Sequence, residues 1–330
     1  MEKIKDLRLN LESKILQSNN IVIVPHLGID LDAIGSAIGL SKIVSYLNKK
    51  ASILIEEPQM YKIDRSVKNV IETAKIKYNV INKETFLKTN DEWDLVLLTD
   101  VNKPELICLK EEIKTINKDN IFIIDHHDRG VTTIQTDNSY IDTKACSACE
   151  IITNLLCNFK IKIPSEIANY LLAGIYLDTG RLTKNTRPET HKLVAKLMEK
   201  GANNAVIDEW FQEDFEMHQR VLKLVSKAAI HKYSYAIVLA EENCEYTKEE
   251  IAKVADYLLQ YGVDASFVIG KVDENSISIS ARSRNFINVA DIMLEMGGGG
   301  NKCSAATKIE NDNIETVGKR LLKIIEPGRN

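Results

Sequence analysis

The sequence predicts an α/β protein: a mostly parallel N-terminal sheet covered by helices on both faces, then a smaller α+β domain. Three observations carry this. Short apolar runs break off abruptly into acids and histidines, as where Ile121-Phe122-Ile123-Ile124 meets Asp125-His126-His127-Asp128. An unbroken apolar run of that length reads as a strand buried on both faces. Helical patterns separate such runs from about residue 20 to 185, and strand–helix alternation implies parallel pairing. The last hundred residues differ: runs at 235–240, 265–270 and 276–281, the last with two-residue alternation, are interleaved with helical stretches at 248–261 and 289–296.

Taken in order, Ile4, Leu7, Leu11 and Ile15 form one face of an amphipathic helix. Ile21-Val22-Ile23-Val24-Pro25 is the first strand and leads into His26, Asp30 and Asp32. Ala33-Ile34-Gly35-Ser36-Ala37-Ile38-Gly39-Leu40 begins a helix whose small residues allow close packing on the sheet. Its N-terminal approach carries the two acids and favours anions. Leu95-Val96-Leu97-Leu98-Thr99 runs into Asp100, and residues 145–152 read as the small-residue start of a helix. The run 171–177 leads into Asp178-Thr179-Gly180 and reads equally as a strand or as the end of a helix. A helix from His191 ends at Gly201, a C-cap, and another follows from Asn204, so 186–232 connects two domains.

Length and composition narrow the function. At 330 residues the chain exceeds one small core and divides most simply into two domains. Charged residues at 27% and hydrophobic ones at 44% are ordinary for a globular protein. No apolar run approaches a membrane span, and the charged N-terminus is not a secretory signal, so a cytoplasmic protein without membrane attachment is expected. Cysteines at 108, 146, 149, 157, 244 and 303 include a lone CxxC and no disulfide framework, so reduced thiols are expected. A net charge of −4 argues against a groove for long nucleic acid and leaves room for a short ligand held by metals and a few local cations.

Ligands of open α/β sheets collect at the carboxyl ends of the strands. His26, Asp30, Asp32, Asp100, His126 and Asp178 should therefore converge on one edge. Carboxylate with imidazole suits a divalent metal of the Mn/Fe/Zn type. Six such ligands are too many for one catalytic metal that keeps open positions, and suit two metals sharing a bridging carboxylate. A second cluster lies far downstream. Gly297-Gly298-Gly299-Gly300-Asn301 exposes backbone N–H groups and allows close approach of a ligand. Arg282, in Ser280-Ala281-Arg282-Ser283, either clamps a phosphate in bidentate fashion or makes a surface salt bridge.

Asp30-Leu31-Asp32-Ala33-Ile34-Gly35, Asp100, Asp125-His126-His127 and Asp178-Thr179 together resemble the DHH phosphoesterase superfamily. Arg282-Ser283 and residues 297–306 resemble its associated DHHA1 substrate domain. The phrases at 263–269 and 279–283, Asn288-Val289 and the four-glycine run are similar to the catalytic core of bacterial cyclic-di-AMP phosphodiesterases. The resemblance implies a DHH metal-binding catalytic domain at 1–188, a helical connector at 189–232 and a DHHA1 domain at 233–330, with the active site in the cleft between the domains. Transmembrane, PAS and degenerate GGDEF segments of the membrane-bound relatives are not in this sequence, so a free-standing core is expected.

The same resemblance implies two Mn²⁺ ions. His26, Asp30 and Asp100 would hold one; Asp32, Asp100, His126 and Asp178 would hold the other, with Asp100 bridging. His127 would stand near the scissile phosphate as hydrogen-bond donor or acid, and Asp125 would orient His126 or His127. Arg282, Ser283, Gly298, Gly299, Gly300 and Asn301 would hold the rest of the nucleotide. Asn301 departs from the family, which has histidine after the glycine run, and this bears on substrate choice and affinity. The chain also lacks the proline usual before the acid at Asp30. The activity implied is Mn²⁺-dependent opening of cyclic di-AMP to pApA, with AMP as an extended product. The alternative is a nanoRNase or pAp phosphatase acting on short linear oligonucleotides. A RecJ-type exonuclease and a family II pyrophosphatase fit less well, given the net acidity and the glycine run. A nucleotide-binding sensor without turnover is countered by the complete ligand set. A homodimer is expected from the resemblance alone.

Overall fold

The computed structural model describes residues 2–56, 65–89, 93–212, 215–231, 234–284 and 287–325. The chain divides into two compact units, Met1–Gln212 and Glu213–Asn330.

The first unit contains α1 (Glu2–Gln17), β1 (Ile21–Val24), α2 (Leu31–Tyr46), β2 (Ala51–Ile55), α3 (Arg65–Lys77), β3 (Val80–Asn82), α4 (Lys83–Thr89), β4 (Leu95–Thr99), β5 (Ile121–Asp125) and β6 (Ser139–Ile141). α5 (Ala148–Asn158), α6 (Ser165–Thr179), α7 (Pro188–Glu199) and α8 (Asn204–Trp210) complete it. The strands form one sheet in the order β3-β2-β1-β4-β5-β6, with every pairing parallel. Chain order runs outward in one direction from β1 and in the other from β4. The carboxyl ends of β1 and β4 therefore flank a topological switch point, where α/β sheets place their ligands.

β1, β4 and β5 are buried along their whole lengths, which is why their sequences are unbroken apolar runs. On α1, Ile4, Leu7, Leu11 and Ile15 are all buried, and the helix packs beside α5. The run 171–177 is helix: it forms the last turns of α6, closed by Gly180 in the left-handed conformation. The small residues of α2 serve helix packing rather than close approach to the sheet. A Cβ on Gly35 would lie 2.6 Å from the Tyr170 carbonyl oxygen of α6, and one on Gly39 2.6 Å from Ile152 of α5. Sequence spacing reveals which residues are small, not which neighbour needs the room.

The second unit runs α9 (Phe215–Val225), β7 (Ala229–His231), β8 (Tyr235–Leu239), α10 (Lys248–Leu258), β9 (Ala265–Asp273), β10 (Ser276–Ser283), α11 (Val289–Glu295), β11 (Gly299–Asn301), β12 (Ser304–Glu310) and α12 (Ile314–Ile325). Its sheet has the order β11-β12-β10-β9-β8-β7; β8 and β9 pair in parallel and the other pairings are antiparallel. α10 starts with a capping box between Thr247 and Glu250, and the helical stretch expected to reach Tyr261 tightens to a 3₁₀ turn after Leu258.

The glycine run is not an open turn. Gly297 N–H donates to the Leu294 carbonyl and Gly298 N–H to that of Met293, the paired bonds that close a helix C-terminus. Gly299 to Asn301 then pair antiparallel with β12. A Cβ on Gly300 would lie 2.4 Å from the Ser304 carbonyl oxygen. Glycine there permits the hairpin.

Candidate metal centre

The centre is assembled where β1, β4 and β5 end. His26 follows β1, with Nδ1 2.7 Å from the Leu27 carbonyl oxygen, which leaves Nε2 facing inward. Asp30 is the N-cap of α2: Oδ1 accepts from the N–H groups of Asp32 and Ala33, both at 2.9 Å, so Oδ2 is the free oxygen. Asp32, in the first turn of α2, is buried. Its carboxylate accepts from the first turn of α5, Ala148 N–H at 2.7 Å and Cys149 N–H at 2.8 Å. A carboxylate so placed is stabilised by the positive end of a helix. Asp178 comes from the last turn of α6.

Asp100 lies between these groups. It follows β4 with φ 59° and donates its N–H to the Ile124 carbonyl of β5 at 3.0 Å. A left-handed conformation in a non-glycine residue costs about 1–2 kcal/mol and clusters at functional sites. Here it aims the carboxylate into the centre. Asp100 Oδ2 lies 3.4 Å from His26 Nε2, which in turn is 3.6 Å from Asp30 Oδ2. Asp100 Oδ1 lies 3.3 Å from His126 Nε2, which is 3.4 Å from Asp178 Oδ2 and 3.8 Å from Asp32 Oδ2. All six residues expected to converge do so, as His26/Asp30/Asp100 and Asp32/His126/Asp178.

These residues fit divalent cations. Asp100 Oδ1 is buried and makes no hydrogen bond, although an imidazole nitrogen stands 3.3 Å away. A buried carboxylate oxygen left bare is costly unless something absent from the protein chain meets it. Two ligands each about 2.1 Å from one ion stand about 3.0–3.5 Å apart; three of these pairs stand at 3.3–3.4 Å and the other two at 3.6 and 3.8 Å. Electrostatics agree. Burial, with Asp32 and Asp30 beside it, pushes Asp178 up to about 9, and burial with Asp100 pushes Asp32 up to about 7. Burial opposes charge on the imidazoles, yet the surrounding carboxylates outweigh it and raise His26 to about 11 and His126 to about 9. Four carboxylates in so small a volume call for positive charge.

Asp125 directs the neighbouring histidine. Its Oδ1 lies 2.9 Å from His127 Nδ1 and accepts from the N–H groups of His126 at 2.7 Å and His127 at 3.2 Å. Its Oδ2 accepts from Asn102 Nδ2 at 2.6 Å, and Asn102 Oδ1 accepts from Thr133 Oγ1 at 3.2 Å. Asp125 and Asn102 are buried, whereas the His127 side chain is 56% exposed, so its Nε2 is the end left for a ligand. The Asp125 hydrogen bond is the leading cause that raises His127. Sequence reading missed Asn102; its signal was an amide two residues after the acid at Asp100. It also missed the amides of Ala148 and Cys149, which no local pattern links to Asp32 more than a hundred residues earlier. A cavity of about 320 Å³ opens here, with Lys103 and the apolar Leu27, Val101 and Leu106 among its lining residues.

In the second unit, Arg282 Nε donates to Asp256 Oδ1 at 3.0 Å and one terminal nitrogen to its own unit's Ala281 carbonyl at 3.1 Å. Ser283 is buried, with Oγ 2.6 Å from the Ile287 carbonyl and 3.2 Å from that of Lys302. Asn301 Oδ1 accepts from the N–H groups of Cys303 at 3.0 Å and Ser304 at 2.9 Å, capping the β11–β12 turn. Gly298 is packed against Ala306 and Thr307, while a Cβ on Gly299 would meet nothing.

Two family models match this chain: the DHH family, N-terminal domain, over residues 20–175, and the DHHA1 domain over residues 231–326. The chain belongs to the DHH–DHHA1 phosphoesterase family. It is 31% identical to the cyclic-di-AMP phosphodiesterase GdpP of Bacillus subtilis over 96% of this chain and 49% of that protein. It is 23% identical to the bifunctional oligoribonuclease and PAP phosphatase NrnA of Thermus thermophilus, over 96% of this chain and 93% of that one. The chain thus spans about half the length of its GdpP relative. An exopolyphosphatase-related protein from Bacteroides fragilis shares the fold, with TM-score 0.76, 20% identity and coverage of 98% of this chain and 97% of that one. Among the described residues no helix is long and apolar enough to cross a membrane.

Proposed function

We propose that this chain is a phosphodiesterase that uses two Mn²⁺ ions to open cyclic di-AMP to pApA. The observation that carries this is the Asp100 carboxylate, with one oxygen facing His26 and Asp30 and the other facing His126, Asp32 and Asp178. Divalent cations held by these residues would neutralise charge at phosphorus and lower the pKa of an attacking water. The rest of the chemistry belongs to the chain. His127, braced at Nδ1 by Asp125, presents Nε2–H to the cavity and donates a proton to the leaving ribose oxygen. The Asp125 hydrogen bond raises His127 above the usual imidazole value, which favours the proton-bearing form. Asn102 and Thr133 keep Asp125 aimed at His127. Lys103 supplies positive charge at the cavity wall, and Leu27, Val101 and Leu106 offer an apolar surface to ribose or base.

A second reading is favoured by Asn301. Its side-chain oxygen is committed to the hairpin turn, and a relative matched over 93% of its own length is by its name a bifunctional oligoribonuclease and PAP phosphatase. A nanoRNase or pAp phosphatase would use the same centre. Product analysis with Mn²⁺ and, in parallel, cyclic di-AMP, pApA and pAp separates the two. Rapid opening of the cyclic substrate supports the first reading; attack confined to the linear substrates supports the second; inertness toward all three overturns both.

A further inference from the structure

A second cavity, about 500 Å³, shares His126 and Asp178 with the first and has different walls. Thr143 and Lys144 line it from the segment before α5, and Asn185 and Thr186 from the turn after α6. Its lining contains one ammonium, one carboxamide and two hydroxyls, and no carboxylate besides Asp178. The acid nearest Lys144 in sequence is already used: Asp142 accepts the Lys144 N–H at 3.1 Å and pairs with the Arg187 guanidinium at 3.1 Å. Arg187 also pairs with Glu150 at 2.5 Å. Among the described residues the Lys144 ammonium has no ion-pair partner. Its charge lies at a cavity whose one carboxylate, Asp178, belongs to the metal-binding cluster.

The opposite wall is built with care. Arg181, Leu182 and Asn185 all have positive φ, at 58°, 67° and 53°, directly after Asp178 and Gly180. Thr179 holds this turn, its hydroxyl accepting from Leu182 N–H at 2.9 Å and its carbonyl from the N–H groups of Thr183 and Lys184. Arg181 is drawn away to Asp208 at 2.5 Å and the face of Phe211. A turn that holds three non-glycine residues left-handed over-determines where its side chains go, and it delivers Asn185 and Thr186 to the cavity.

Resting on the phosphodiesterase reading, we propose that this cavity is the subsite for the non-scissile phosphate of a dinucleotide. Lys144 supplies the charge, and Asn185 and Thr186 supply hydrogen-bond donors. The first cavity, with its leucines and valine, takes ribose or base; the second lacks the apolar faces a base needs and has the cation a phosphate needs. Lys144 then sets preference for substrates with a phosphate beyond the one cleaved.

The test compares Lys144→Ala and Lys144→Arg with the unaltered chain on bis(p-nitrophenyl) phosphate, cyclic di-AMP and pApA, with Mn²⁺. Loss of one charge-assisted contact should raise KM for a dinucleotide by about 10- to 100-fold, with kcat and bis(p-nitrophenyl) phosphate turnover within about twofold. Arginine should restore most of the loss. A loss confined to the cyclic or to the linear substrate tells which phosphate is held. Equal loss on all three, or loss on none, overturns the assignment. Calorimetry of pAp against AMP with metal-stripped protein gives a readout independent of turnover. The unaltered chain should favour pAp and Lys144→Ala should not; an unchanged preference refutes the subsite. Absence of hydrolysis by the unaltered chain would instead refute the phosphodiesterase reading and leave the pAp comparison decisive.

Discussion

Gly174→Ala strikes the tightest approach around the centre. The new Cβ would lie 2.5 Å from Cys149 Sγ, 2.8 Å from Asp32 Oδ1 and 2.9 Å from Asp32 Cα. Ordinary contact begins near 3.4 Å, so α6 must retreat from α2 and α5 by roughly 0.5–1 Å. Asp178 stands four residues on, on the same face of α6, and Asp32 is the group struck. Overpacking costs about 1–3 kcal/mol, offset by about 0.5–1 kcal/mol from alanine's better helix propensity. The net loss of about 1–2 kcal/mol lowers Tm by about 2–8 °C. Activity should fall further, by about 100-fold, because a misplacement near 1 Å is enough for that. Gly39→Ala is the control. Its Cβ would press on Ile152 and Leu171 in the same helix layer and touch no acid, so it should lower Tm while turnover of bis(p-nitrophenyl) phosphate holds within a few-fold. Parallel melting curves and kcat/KM read both. Equal activity losses in the two variants, or full activity in Gly174→Ala, would refute the claim that helix spacing sets the geometry of Asp32 and Asp178.

Asn102→Ala removes the donor to Asp125 Oδ2 and should lower kcat about 10- to 100-fold with KM little changed, while shifting the pH–rate limb of His127; an unmoved limb would show that Asn102 does not act through it. Metal-stripped protein should lose stability as pH rises from about 6.5 to 9. Asp32, Asp178, His26 and His126 all have folded values above their unfolded ones, so each contributes stability that is present below its unfolded value and is lost as pH rises to its folded value, about 7 for Asp32, about 9 for Asp178 and His126 and about 11 for His26; most of these spans overlap in that window. Melting curves in chelator should fall with pH, and added Mn²⁺ should remove or reverse the trend; a rising curve in chelator contradicts the assigned cluster.

The sequence made β1, β4 and β5 legible because a strand buried on both faces leaves an uninterrupted apolar run, and because each ends in a polar residue aimed at the switch point. β3 and β6 are three half-buried residues each and leave no such run. The segment before Asp178 is apolar whichever structure it adopts; only the 15-residue length of α6, set by Pro164 and Gly180, makes it helix. His26, Asp100 and His126 were readable because strand ends place them, and Asp30 and Asp32 because they open the helix that follows β1; Asp178 arrives instead from the end of α6. Their supports were not: Asp32 is anchored by α5 amides, and Asp125 by Asn102 and Thr133, through contacts that only the folded chain creates. The structural part played by the glycine run was hidden for a related reason. Four glycines suggest exposed amides; in the fold Gly297 and Gly298 also close α11, and Gly299 and Gly300 pair with β12 in a hairpin, roles that only the folded chain reveals.

The most direct test of the shared Asp100 carboxylate is a calorimetric titration of metal-stripped protein with Mn²⁺, for the unaltered chain and for Asp100→Ala, with hydrolysis of bis(p-nitrophenyl) phosphate followed in the same samples. Two equivalents should bind the unaltered chain, and activity should rise only as the second fills. Asp100→Ala should lose tight binding at both positions and all measurable turnover. A single equivalent at full activity, or near-normal turnover in Asp100→Ala, would contradict a two-metal centre joined through this residue.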